Sequence, residues 1–240
     1  MKKIEKKTEN LFKWKHFLPE IIILCLRWYL KYKLSFRDLV EIMAERGLTM
    51  VHTTIMRWIH EYSPEINQRN RKYLKPSTDS YRLDETYLKI KGDWYYLYRA
   101  IDSNGNTIDF LLSRNRDKKA ARKFIKKVLS NRHATSPRVI NTDKAPSYVS
   151  AINRLKFDKE INIEVLHRPI QYMNNILEQD HRFIKWRIKP MMGFFSFKTA
   201  DWIIQGIESM HMIHKIQVKN YFKYYKNDKV FIENIFGIAA

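Results

Sequence analysis

At 240 residues the chain is long enough for one ordinary domain and a smaller companion, and a hydrophobic content of 45% supplies a packed core and excludes general disorder. Its 45 Lys and Arg against 25 Asp and Glu leave a net charge of +20, which with 14% aromatic residues points to a polyanionic partner, most simply nucleic acid, although a merely basic or ribosome-associated protein fits the same numbers. The single cysteine, Cys25, excludes an intrachain disulfide and a cysteine zinc cluster, and the apolar run at 21–26 is too short for a signal segment or a membrane span, so a cytoplasmic protein is expected.

The first organised region spans 19–62. Pro19 suits the first turn of a helix, and Ile22, Cys25, Leu26, Tyr29 and Leu30 follow at helical spacing. Ser35 and Asp38 in "SFRD" have the spacing of a capping box. Phe36, Leu39, Val40 and Met43 continue as a second stripe, and Gly47 ends it. After the short link "LTMV", Ile55, Trp58, Ile59 and Tyr62 make a third stripe, with Pro64 just beyond. Three short amphipathic helices with a tight link between the last two predict a helix-turn-helix; a plain three-helix bundle has the same stripes. Thr53, Thr54 and Arg57 point away from the third stripe and are the candidates for reaching base edges or phosphates. Apolar periodicity is lost over 64–80, which predicts a polar link with Arg69, Arg71 and Lys72 free to follow a DNA backbone. The basic excess is shared, with 16 basic and 8 acidic residues in 1–75 and 29 and 17 in 76–240, so a DNA partner is expected to touch both parts.

The second part opens with strands. "YRLDETYLKI" (81–90) ends at a turn, "WYYLYRAI" (94–101) leads into the hairpin signal "DSNGN", and "TIDFLLS" (107–113) completes an antiparallel meander. Ala121, Phe124, Ile125 and Val128 mark a helix over 117–130. A short strand at 138–141, a helix around 146–155 and a strand at 161–166 follow. A helix over 174–187 comes next, then a long one over 196–217 with Ala200, Ile203, Ile204, Ile207 and His211 on one side. The aromatic, basic tail "NYFKYYKNDK" suggests no role by itself. The order β-β-β-α-β-α-β-α, an antiparallel meander extended by parallel strands, is that of a ribonuclease H-like α/β fold. Fold alone does not give function.

Three acids stand where such a fold would bring them together: Asp84 inside the first strand, Asp143 at the end of the fourth, and Glu178 on the helix after the fifth. Clustered carboxylates are what two hard divalent cations need in order to clamp an in-line displacement at phosphorus. Each acid has a plainer role open to it. Asp84 and its neighbour Glu85 alternate across the strand, and one acid inside an apolar strand needs a partner. Asp143 is placed to cap the helix after it, and Glu178 has the look of a surface residue. On that helix Met173, Leu177, Ile184 and Ile188 form the buried stripe, whereas Glu178, His181, Arg182 and Lys185 share another arc. One acid among three potential cations suits a metal ligand beside groups that grip phosphate. Asp180 falls on the apolar side, where it must find a donor.

"RLDETYLKIKGDWYYLYRAID", "VINTDKAPSY" and "YMNNILEQDHRFIKWR" resemble the three catalytic blocks of the DDE transposases of bacterial insertion sequences, in particular the insertion-sequence-six family. The resemblance extends to "LSFRDLVEIMAERG" and "HTTIMRWIHEY", and thirty-four residues separate Asp143 from Glu178, the spacing of that family. It implies a catalytic metal-binding triad of Asp84, Asp143 and Glu178, with Lys185 as the basic residue a turn later and His181 and Arg182 between. Where the family often carries a lysine, this chain has Gln171.

The resemblance implies a ribonuclease H-like catalytic domain over 76–240, including the C-terminal helix and tail, preceded by a small all-α helix-turn-helix domain with its linker over 1–75. It implies two Mg²⁺ ions, with Mn²⁺ able to substitute, and double-stranded DNA as partner, both the terminal inverted repeats and the target. It also implies cleavage and strand transfer by a replicative, cointegrate-forming route, in a dimer or larger assembly because two ends must be joined. A non-catalytic DNA-binding regulator on the same helices is the alternative from another class, and a tyrosine recombinase would need no acid triad.

Overall fold

The computed structural model describes residues 11–170 and 175–238, so Gln171 and Met173 lie outside the described residues. The chain forms two compact units. One comprises residues up to Leu74, Lys189–Met191 and the chain from Phe197 on; the other comprises Lys75–Ile188 and Met192–Ser196.

The helical unit begins with α1 (Pro19–Lys31), which has Pro19 in its first turn and Ile22, Ile23, Cys25, Leu26, Tyr29 and Leu30 buried. Burial pushes the Cys25 thiol up to about 12, as expected of a core cysteine. In α2 (Phe36–Ala44) the capping box is complete: the Asp38 backbone N–H donates to Ser35 Oγ at 3.1 Å, and the Ser35 N–H donates to Asp38 Oδ2 at 2.7 Å. Gly47, at φ +73°, turns the chain out of that helix.

The third helix corrects the expected link. Instead of ending before Pro64, α3 runs unbroken over His52–Asn70 with the proline inside it. Its second half does have a buried stripe, but polar residues fill it: Ser63, Asn67 and Asn70 are buried beside Ile59, Tyr62 and Ile66. The stripe is polar because it faces other polar groups on α7 (Phe197–His214). Asn67 donates to Gln205 Oε1 at 3.3 Å and accepts from Ser209 Oγ at 3.1 Å, and Asn70 points its amide at Met212 Sδ, 3.9 Å away. Tertiary packing thus outweighs the cost of one helical proline. Nor is Arg69 free: it pairs with Glu65 at 2.5 Å and donates to the Ile235 carbonyl at 2.9 Å.

The aromatic tail also finds its place here. After the short α8 (Tyr221–Tyr224), α9 (Asp228–Phe236) starts at the Asn227 cap and buries Phe231, Ile232, Ile235 and Phe236. It packs on α1 and α3. The region after 196, expected to extend the second domain, is therefore part of the helical unit. Three helices alone leave the polar seam of α3 uncovered; α7 covers it. Packing is tight at Gly206 of α7, where a Cβ would meet Leu30 Cδ2 at 2.7 Å and Ser63 Cβ at 2.8 Å.

The second unit is built on a five-stranded sheet in the order β3-β2-β1-β4-β5. The strands β1 (Ser80–Ile90), β2 (Asp93–Asp102) and β3 (Thr107–Ser113) form the expected antiparallel meander. β4 (Val139–Thr142) adds in parallel to β1, and β5 (Leu166–Pro169) adds in parallel to β4. This mixed order is the ribonuclease H-like one. The crossover helices α4 (Lys118–Leu129) and α5 (Pro146–Phe157) cover one face, closing a core around Tyr81, Leu83, Tyr98, Phe124, Ile152 and Leu155. The fifth strand lies later than expected. Ile161 and Val165, read as strand residues, drop into the core from the connecting segment. The strand itself is the mostly exposed "LHRP", an edge strand on which a proline is tolerated.

On the other face of the sheet, α6 (Asn175–Ile188) lies against β1. Leu177 and Ile184 are buried as expected. Asp180, also on the apolar side, meets a donor there: Arg99 of β2, whose side chain is fully buried and whose Nη2 lies 2.7 Å from Asp180 Oδ2. A guanidinium removed from water is tolerable only with such a partner.

Two stability outcomes follow from these contacts. Gly206→Ala must displace Leu30 or Ser63 and is expected to destabilise the helical unit by about 1–3 kcal/mol, read as a lowered urea midpoint. Asp180→Ala removes the carboxylate from a fully buried cation and should cost about 3–5 kcal/mol. The double variant Arg99→Met/Asp180→Leu should cost less than Asp180→Ala in the same urea titration, since it buries no charge.

Candidate active site

The site forms where β4 ends. β4 pairs with β1 as far as Asn141 opposite Arg82; two residues further in that register, Asp143 stands beside Asp84. The sheet edge is open there, and carboxylates from both faces of β1 can converge. One oxygen from each of Asp84, Glu85 and Asp143 lies within 4.8 Å of the others.

Each acid is held differently. Asp84 faces α6 and lies directly across from Arg99 on β2. His181 of α6 reaches it, with Nε2 3.5 Å from Asp84 Oδ2 and Nδ1 3.5 Å from an Arg99 Nη. Glu85 faces the opposite side, across from Tyr98, and is buried. It accepts a hydrogen bond from Tyr148 Oη of α5 at 2.8 Å and another from Arg116 Nε. Burial raises the Glu85 pKa, only partly offset by the Tyr148 hydrogen bond and the Arg116 charge; Asp84 and Asp143 raise it further. Burial and the Glu85 carboxylate push the Tyr148 hydroxyl well above its ordinary value, so it remains a donor. Asp143 accepts from the Ala145 backbone N–H at 3.0 Å and lies 3.5 Å from Arg116 Nη2. It is not the α5 N-cap, which is Ala145.

The structure thus brings together two of the three acids singled out in the sequence, adds Glu85, and leaves Glu178 outside the 4.8 Å group, exposed on α6. Glu178 is three residues before His181, so the two share an arc of the helix that runs toward Asp84. The arc itself divides. Arg182 and Lys185 are exposed, but His181 is buried and turned to Asp84 and Arg99, which corrects its expected place among groups open to DNA. In the helical unit Arg57 is exposed and Thr53 and Thr54 are half-buried on α3, all clear of the buried stripe.

Sequence reasoning missed Arg116, Tyr148 and the part played by Glu85. "DE" on one strand did raise the question of which acid has a partner; the structure gives one to each. The oxygen-only donor set of Asp84, Glu85 and Asp143 is of the kind that hard divalent cations prefer. No helix among the described residues is long and apolar enough to cross a membrane.

A family model described as a DDE domain matches residues 78–217. The transposase for insertion sequence-like element IS431mec of Staphylococcus aureus is 39% identical over 207 residues, covering 86% of this chain and 89% of that protein. The transposase for insertion sequence element IS257 in transposon Tn4003 of the same organism matches to the same extent. Among solved structures, the HTLV-2 integrase catalytic core domain in complex with magnesium, in its trimeric form, superimposes with a TM-score of 0.40 and 14% identity over 55% of this chain and 84% of that one. With a DDE-domain match over more than half its length and transposase relatives matched along most of theirs, the chain belongs to the DDE transposases of the insertion-sequence-six family.

Proposed function

We propose that the chain binds the terminal inverted repeats of its own element through the helical unit and cleaves and joins DNA at the carboxylate site of the second unit, with divalent metal. The observation that carries this reading is the convergence of Asp84, Glu85 and Asp143 within 4.8 Å at the open end of β4. Asp84, Asp143 and Glu178 are the residues that would hold Mg²⁺, or Mn²⁺ in its place. Bound there, two such ions supply charge neutralisation at the attacking and leaving oxygens.

The remaining residues position and grip. His181, with Nε2 3.5 Å from Asp84 Oδ2, is placed to orient that carboxylate. Arg182 and Lys185, exposed on α6, are placed to hold phosphates of the DNA. Water cleaves the phosphodiester at the element's end, and the freed 3′-OH attacks target DNA. Such transfer depends on positioning and charge stabilisation and needs no covalent protein intermediate. One acid site cuts the strand that yields the 3′-OH, and a replicative route through a cointegrate then completes the reaction. Two ends must be joined, so a dimer or larger assembly on DNA is part of the reading. In the helical unit, Thr53, Thr54 and Arg57 lie on the side of α3 that its core leaves open, and the +20 charge favours DNA at both units.

Asp84→Asn, Asp143→Asn and Glu178→Gln should each abolish cleavage and strand transfer while end binding persists, and Mn²⁺ should replace Mg²⁺ for the unaltered protein. A cleavage assay on DNA carrying the element's ends decides this: full cutting by Glu178→Gln removes that residue from the site, and end binding with no cutting by the unaltered protein favours the regulator. Arg57→Ala should weaken end binding by about 1–3 kcal/mol if the side chain reads a base. In gel-shift titrations the loss should then fall on the specific end and spare scrambled DNA; an even loss on both would make Arg57 a phosphate contact.

A further inference from the structure

Arg116 sits in the short loop between β3 and α4, where its side chain is 37% exposed. Despite that exposure its whole guanidinium is engaged with the carboxylate site. Nε donates to Glu85, Nη2 lies 3.5 Å from Asp143 Oδ2, and Nη1 donates to Tyr87 Oη at 3.3 Å. With Asp143 and Lys144–Ser147 it lines an open cleft of about 540 Å³. One permanent positive charge therefore engages Glu85 and Asp143, two of the three clustered acids whose oxygens a hard cation would draw on. A guanidinium fork matches a phosphate as well as it matches carboxylates. An exposed side chain on a loop can change partner without disturbing the sheet.

We propose that Arg116 is a resident counter-ion of this site, which competes with divalent cations for Glu85 and Asp143 and yields them when its guanidinium turns to a phosphate of bound DNA. The inference rests on the metal-binding reading of Asp84 and Asp143. It makes metal loading depend on DNA: without DNA one charge of the cluster is offset from within, and with DNA the cation that blocked it becomes a phosphate grip. Removing a unit charge a few ångströms from a dication near the surface should tighten binding about tenfold or more.

Mn²⁺ binding to the full-length protein, followed by the electron paramagnetic resonance signal of the free ion, tests this without recourse to activity. R116Q should bind Mn²⁺ about tenfold more tightly than the unaltered protein when DNA is absent. R116K, which keeps the charge but loses the fork, should fall between. A duplex carrying the element's end should bring the unaltered protein close to R116Q. Adding D143N to R116Q should remove the gain. Equal or weaker Mn²⁺ binding by R116Q, in protein whose circular dichroism matches the unaltered chain, overturns the proposal. If unaltered protein and R116Q both fail to bind Mn²⁺, with and without DNA, it is the metal-site reading that fails, and the counter-ion role falls with it. A gain in R116Q that survives D143N would place the cation elsewhere and also refute the competition.

Discussion

A buried cation governs the geometry of the second unit. Arg99 has no access to water, and a charge so placed needs a partner such as Asp180, which meets it at 2.7 Å. The pair ties α6 to β2 at Asp180, and a helix shifted by a turn would lose that 2.7 Å contact. Once Asp180 is in place, helical spacing puts His181 over Asp84, and Glu178 follows on the same arc. A structural ion pair thus lies one residue from His181, the side chain that reaches Asp84. Hydrophobic contacts of Leu177 and Ile184 add affinity for the sheet but are less particular about register.

The acids themselves depend on a strand that stops early. Strand alternation sends Asp84 and Glu85 to opposite faces, and within a continuous sheet they would not share a site. β4 ends at Thr142 and the next bridge to that edge of β1 is Phe194 at Ile90, so beside Asp84 and Glu85 the edge is left for both carboxylates to reach toward Asp143. Three carboxylates this close repel one another, and some positive charge has to be near them. Arg116 supplies it from a loop, the part of the fold that can move at least cost.

The helical unit is held by a different principle. Its α3–α7 seam is rich in amides and hydroxyls, and the hydrogen bonds among Asn67, Gln205 and Ser209 tie the two helices in one register. Gly206 then lets α7 approach Leu30 and Ser63 more closely than any side chain would allow. The partners in this seam are some 140 residues apart in the chain. A segment ending before residue 76 therefore lacks the α7 side of this seam.

Much was legible in the residues alone, for a physical reason: local signals are written locally. The stripes of α1 and α2, the Ser35–Asp38 cap, the meander with its Gly105 turn and the Asp180 demand for a donor all depend on neighbours a few positions away. The fold order, and through resemblance the family, followed from them. Long-range matters were not legible. The continuation of α3 past Pro64 hid behind Ser63, Asn67 and Asn70, since a buried stripe of polar residues has no hydrophobic period. The edge strand "LHRP" takes its place from pairing with β4 and has no alternation of its own. The attachment of the chain after Phe197 to the first helices, the burial of His181 and the meeting of Arg116 with Glu85 and Asp143 are contacts between distant segments. The sequence by itself determined the locally signalled elements, such as the stripes of α1 and α2 and the antiparallel meander; only the tertiary structure decided which charges face one another, because that depends on where strands end and helices dock.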